Sequence, residues 1–209
     1  MQLKRTGRAF AAVCALAFAT AAGARDRNQG AVDVDPTQKG PVSGLGIEAH
    51  DIAAMADRMV RDMLGNATLA GRAKAPRIII DSAYFTNESS QRINKNIITD
   101  RLRVQLNRAS QGRMTFIARQ NAAMVEEERA LKREGVTDVG TTGMTRAVAG
   151  ADYRLTGNIA STEARDPRTG QMQRFTQIVF EMVDLESGMI EWSNSYDIER
   201  AATDDVIYR

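Results

Sequence analysis

Residues 175–198 read FTQIVFEMVDLESGMIEWSNSYDI. Polar and apolar residues alternate through 175–183 and again through 189–198. Between them, Asp184-Leu185-Glu186-Ser187-Gly188 is a run of turn formers with its glycine where a positive φ is expected. The stretch is an antiparallel hairpin. Upstream, Tyr153-Arg154-Leu155-Thr156-Gly157-Asn158-Ile159 alternates in the same way, and Asp166-Pro167-Arg168-Thr169-Gly170 supplies a second turn. The last third of the chain is therefore expected to be a three-stranded meander.

The period changes toward the N-terminus. Ile52, Met55, Met59, Val60 and Met63 recur at three- and four-residue steps, with Asp51, Asp57, Arg58, Arg61 and Asp62 on the other side. This predicts an amphipathic helix ending near Gly65. Its methionine stripe is read as packing on the domain's own sheet, the alternative being an adaptable partner-binding face. Residues 77–85, RIIIDSAYF, are β-branched at the start and predict a buried strand. A helix with Ile98, Leu102 and Leu106 follows, with Ser89 or Ser90 as candidate N-cap. MTFIA, residues 114–118, predicts another strand. A third helix over about 121–134 carries Glu128 and Lys132 at i, i+4 and stops at Gly135. Strand–helix units followed by a meander give an α/β (α+β) fold: one mixed sheet of about five strands flanked by three or more helices.

The first residues belong to a different class. Lys4, Arg5 and Arg8 precede an apolar stretch from Ala9 to Ala22, and Ala22-Gly23-Ala24 follows the A-x-A pattern. This order predicts a signal peptide over 1–24, cut between Ala24 and Arg25. The chain's one cysteine, Cys14, lies inside the apolar run behind the branched Val13, so lipidation there is not expected. Of the 28 Lys+Arg residues the cut removes three, leaving 25 against 26 Asp+Glu, a net charge of −1. A near-neutral chain gives no electrostatic reason to expect nucleic acid as a partner. Residues 25–46, rich in glycine, proline and charge, are expected to be a flexible linker, and 47–209 the globular domain.

Residues for catalysis are sparse. With one histidine, His50, there is no two-histidine metal site, and its place beside Asp51 at a helix start favours a surface or capping role. Gly44 and Gly46 do not extend to a dinucleotide-binding motif, and no phosphate-binding loop is present. The run Glu126-Glu127-Glu128 reads as a solvated helix face, since successive helix positions diverge. Asp204-Asp205 lies in a polar tail, and Asp81 and Glu88 are the acids that a hydrolase would use. No enzyme, cofactor or metal is expected.

Taken together, YFTNES, DRLRVQLNRA, MTFIAR, ERALKREG, GADYRLTGNI and MVDLESGMIEWS, in that order, resemble the LpoB-type activators of class A penicillin-binding proteins. More distantly the layout is similar to the periplasmic domain of the curli secretion channel and to the N-terminal domain of TolB. The resemblance implies a TolB N-terminal-like fold and a binding role without chemistry. It implies docking on a bifunctional peptidoglycan synthase, whose glycosyltransferase and transpeptidase the family stimulates. The alternative is a non-catalytic envelope assembly or secretion accessory factor, with envelope assembly proteins as partners. Family members carry a lipidated cysteine and a long tether, whereas residues 25–46 span at most roughly 70–80 Å. A soluble periplasmic protein is therefore expected here, with an outer-membrane lipoprotein as the alternative. No contact residues are transferred from the family.

Overall fold

A computed structural model describes residues 31–203. The chain divides into two compact units, 1–33 and 34–209, and the second contains every element named below. Cys14, the Ala24–Arg25 bond and Asp204-Asp205 lie outside the described residues.

The first helix, α1, spans Ala49–Gly65 and starts with a capping box formed by Glu48 and Asp51. Met55, Met59 and Met63 are fully buried, so the methionine stripe is core. A one-turn helix, α2 (Ala67–Ala70), is capped by the Asn66 side chain. The expected strand 77–85 is two strands, β1 (Arg77–Ile79) and β2 (Phe85–Asn87). Asp81 breaks it: its Oδ1 accepts the Ala83 N–H at 3.1 Å, and its Oδ2 pairs with Arg154 Nη2 at 2.7 Å. Both pieces pair in parallel with one later strand, β4 (Tyr153–Arg165), at Ile78↔Tyr153 and at Phe85↔Gly157. Residues 80–84 thus loop out opposite only Leu155 and Thr156.

Next comes α3 (Lys95–Ala109), with Ile98, Leu102 and Leu106 fully buried as their spacing required. Its N-cap is Asn94, which accepts the Asn96 N–H at 3.1 Å, rather than Ser89 or Ser90. Those serines are committed elsewhere, Ser89 Oγ to Asn87 Oδ1 at 2.6 Å and Ser90 Oγ to Glu163. Only Thr115–Phe116 of the expected strand 114–118 forms β3, beside β1. A single 3-10 turn over Arg119–Asn121 leads into α4 (Ala122–Arg133), where Lys132 and Glu128 pair at 3.5 Å.

The meander forms with longer strands than alternation indicated. β4 pairs with β5 (Met172–Asp184) over all 13 residues of each, and β5 with β6 (Ile190–Ala202). Residues 161–165 are too polar to announce a strand. They extend because the turn at 166–170 closes the hairpin, and each added residue pair then gains ladder bonds at little further entropic cost. Gly188 takes φ 74°, and Asp184 Oδ1 accepts the Glu186 and Ser187 N–H groups at 2.9 and 2.7 Å. The sheet has six strands ordered β3-β1-β4-β5-β6, with β2 also on β4. α1 and α3 cover one face, over a core that includes Phe85, Leu155, Phe180, Met182 and Trp192.

Three contacts hold this arrangement. Gly157 lies within β4, and a Cβ there would fall 2.2 Å from Phe85 Cε2 and 2.7 Å from the Val179 carbonyl. Arg200 on β6 forks onto Asp51, 5% exposed, at 2.7 and 2.8 Å, and also donates to the Gly46 carbonyl. The last residues of the lead-in segment, Gly44, Leu45 and Gly46, are buried. At the far end of the β4–β5 hairpin, the Ser90 hydroxyl and then the Arg174 guanidinium, 2.8 Å away, hold the Glu163 carboxyl below its ordinary range.

Each contact has a measurable consequence. Gly157→Ala is expected to cost about 2–3 kcal/mol in urea unfolding, because the ring or the strand must shift. In a double variant with Phe85→Leu part of that loss should disappear, and strict additivity would refute the contact. Arg200→Ala strands a buried carboxylate and is expected to cost about 3 kcal/mol, with Arg200→Lys recovering only part. Arg168→Ala is the control: its side chain is 89% exposed and 4.0 Å from Asp166, so its loss should be near zero. The folded value of Glu163 lies below its unfolded one, so its stabilisation is present above about pH 4.5 and is lost as pH falls through the folded value. Ser90→Ala should move the Glu163 titration, followed by carboxyl NMR, upward.

Candidate functional site

The acids that could have served chemistry are used for structure. Asp81 is locked between the Ala83 amide and Arg154, whose guanidinium also lies 4.4 Å from the Tyr84 ring centre. Glu88 accepts from Asn158 Nδ2 at 3.0 Å, and Asn158 Oδ1 in turn accepts the Thr86 hydroxyl at 2.7 Å. His50 sits in the capping cluster at the start of α1, 3.3 Å from Glu48, 3.4 Å from Asp51 and 3.3 Å from Arg200 Nη2. It thus belongs to the ion network that fixes α1 to β6, close to the capping role its position suggested. Among the described residues no group of three or more His, Cys, Asp or Glu side chains could hold a metal ion. No helix among them is long and apolar enough to cross a membrane.

What the fold offers instead is surface, of two kinds. The stretch from Thr115 to Gly150, β3 and the crossover toward β4, contributes little to the core: none of its residues is fully buried, and Phe116 packs against the core only partly buried. Met124, Val136 and Met144 on it are 63%, 67% and 57% exposed. A groove of about 270 Å³ runs between β3 and α4, lined by Phe116, Ile117, Val125 and Val148 with Arg77 and Arg119. The sheet is flanked by helices as expected, but no residue of α4 is fully buried. α4 turns Ala122, Val125 and Glu126 to the groove beside β3, too little apolar bulk to close a core there. The shortage of large apolar residues at helical spacing in 122–133 was the available signal.

The second surface is the far side of the meander. The face opposite α1 and α3 carries Thr156, Asn158 and Ala160 on β4, Gln177, Val179 and Glu181 on β5, and Ser193, Ser195 and Asp197 on β6. It is mainly polar, with Val179 and the part-exposed Phe175 as its larger apolar residues, and among the described residues no helix lies on the β5 and β6 portion. Its electrostatics are set by Glu181, Asp197 and Glu199. Arg154, which shares the face, is committed to Asp81. At the end of β4 nearer β1 the Tyr153 ring is fully buried beneath the Arg72 guanidinium, 5.2 Å from the ring centre, and burial pushes its hydroxyl pKa up. These are features of a binding module with a folded core and unfilled surfaces.

Comparison with known proteins agrees. The model of the family described as peptidoglycan-synthase activator LpoB matches residues 51–198, from the first turn of α1 to the last third of β6. No curated protein matches the chain. Among solved structures, the LpoB C-terminal domain from Salmonella enterica is 21% identical, with a TM-score of 0.43, over 72% of this chain and 99% of that one. Lipoprotein GNA1162 from Neisseria meningitidis is 19% identical, with a TM-score of 0.31, over 63% and 87%. The family match covers well over half of the chain and every element of the sheet. Its members are regulators of a synthase and not catalysts, in keeping with acids tied up in structural pairs. The chain belongs to the peptidoglycan-synthase activator LpoB family.

Proposed function

We propose that this chain is a periplasmic binding protein that activates a bifunctional, class A penicillin-binding protein during peptidoglycan synthesis. The match of the activator-family model through residues 51–198 carries this reading. The exposed crossover 115–150 and the open β5–β6 face support it, because an activator works through contact surface and needs no reactive group. The proposed organisation is a signal peptide over 1–24, cut between Ala24 and Arg25, a linker over 25–46 and the globular domain over 47–209. With Cys14 removed in the leader, the mature protein is soluble in this reading.

Two measurements test it. Mass and N-terminal sequence of the exported protein should give a chain starting at Arg25, whereas a lipid-modified Cys14 start would refute the soluble form. The mature chain should bind a class A synthase and raise its rate of glycan polymerisation. Absence of both binding and rate change would refute the activator reading.

A further inference from the structure

The sheet ends on β6, a 13-residue strand that pairs with β5 on one side only. At about 3.4 Å per residue its free edge is roughly 40 Å long, and alternate residues turn both backbone groups outward. Among the described residues no backbone group from another segment bonds to that edge. Edges of this length are normally blunted by charged side chains, above all lysine, by proline, by bulges or by a covering element. β6, IEWSNSYDIERAA, has neither lysine nor proline, and the irregularity of its ladder is confined to its start, opposite Met182 and Val183. Its charges are the acids Glu191, Asp197 and Glu199, and Arg200, which turns inward onto Asp51, so they guard the edge against an acidic strand and leave it open to a basic one.

The edge is held ready on one flank and open on the other. On the α1 side, Asp62 Oδ2 accepts from Trp192 Nε1 at 2.5 Å and from Asn194 Nδ2 at 3.0 Å, and Asp51 takes Arg200. Side chains there are fixed. Asn194 Oδ1 also accepts the Ser195 N–H at 2.8 Å, so this outward amide is met by a neighbouring side chain and not by a strand, and the carbonyl of an added strand would replace that acceptor. On the open side, Ser193, Ser195, Asp197 and Glu199 follow one another at alternate positions. Asp197 accepts only from Gln177 Nε2 at 3.2 Å and Glu199 only from Gln173 Nε2 at 2.6 Å, and no cation lies within ion-pair distance of either carboxylate among the described residues.

We propose that this edge receives an extended segment of the synthase as a seventh strand, with Lys or Arg at alternate positions set against Asp197 and Glu199. The inference rests on the synthase reading above and adds where and how the partner binds. Strand addition would satisfy the outward amides and carbonyls in one step, and the uncompensated acidic flank selects a basic strand. A second copy of this chain complements the edge less well. Paired two-fold about Tyr196, the register of fullest overlap, it sets Asp197 opposite Ser195 and Glu199 opposite Ser193 and so brings no cation to either carboxylate, and centred at Asp197, Ile198 or Glu199 it sets carboxylates opposite carboxylates.

The full mature chain and the synthase supply the test. Ser195→Pro removes one outward N–H, a change an edge strand tolerates without losing its ladder to β5. It should keep the circular dichroism spectrum and weaken synthase binding by roughly tenfold or more. Asp197→Lys with Glu199→Lys should weaken binding comparably, and should also reduce its sensitivity to salt. Hydrogen exchange on the unmodified complex is independent of either variant, and amides in 190–202 should become protected when the synthase is added. Unchanged exchange there in a complex that demonstrably forms would overturn the edge while leaving the activator reading intact. So would wild-type binding by a folded Ser195→Pro. Protection of the same strand through self-association would assign the edge to a second copy and overturn the proposal. No binding by the wild-type chain would overturn both readings.

Discussion

The ring of Phe85 lies where a Cβ on Gly157 would be, and much of the domain depends on that missing atom. The contact brings β2 into parallel register with β4 at Phe85↔Gly157, and places Phe85 5.4 Å from Phe180 on the next strand. The parallel half of the sheet is thereby joined to the antiparallel meander through one packed aromatic pair. The remaining core, with Met55, Met59 and Met63 from α1 and Ile98, Leu102 and Leu106 from α3, fills against that junction. A larger side chain at 157 would push apart the two halves that those helices cover.

Around this core the polar groups serve to fix orientation. Arg200, Asp51, Glu48 and His50 tie the end of β6 to the start of α1, while Asp62 ties the last turn of α1 back to Trp192 and Asn194. Both ends of one helix–strand contact are therefore fixed by charge, buried at Asp51 and exposed at Asp62. Such pairs add little net stability once desolvation is counted, but they penalise any other alignment heavily. Alignment is what a binding module must conserve.

Function and fold divide the molecule between them. The helices and the strand faces beneath them are apolar and closed, whereas the crossover 115–150, the open face and the β6 edge contribute little or nothing to the core. Surfaces that a domain leaves unsatisfied are where a partner's contacts add the most, since no internal packing has to be broken first. An activator needs such surfaces. The acids once considered for hydrolysis, Asp81 and Glu88, turn out to organise the loop and strand beside the open face.

Local pattern was enough for much of the architecture. The period-two alternation in 153–198, the turns around Gly170 and Gly188, and the three- and four-residue spacing of methionines and leucines in α1 and α3 all follow from one chain segment facing one core. The motifs quoted for the family were likewise legible, because they are short and contiguous. What local pattern could not supply depended on residues far apart in the chain. The break of 77–85 into two strands needed Arg154 to claim Asp81. The cap at Asn94 required Ser90 to be taken by Glu163. The extension of β4 and β5 through polar residues came from the ladder between them, and the failure of α4 to bury any residue came from the sheet edge it faces. Sequence determined which segments are helix or strand and which side of each is apolar. Only the tertiary structure decided which polar groups find partners, and so which edge and which face are left for another molecule, because hydrogen bonds and ion pairs are settled between segments that the chain brings together only on folding.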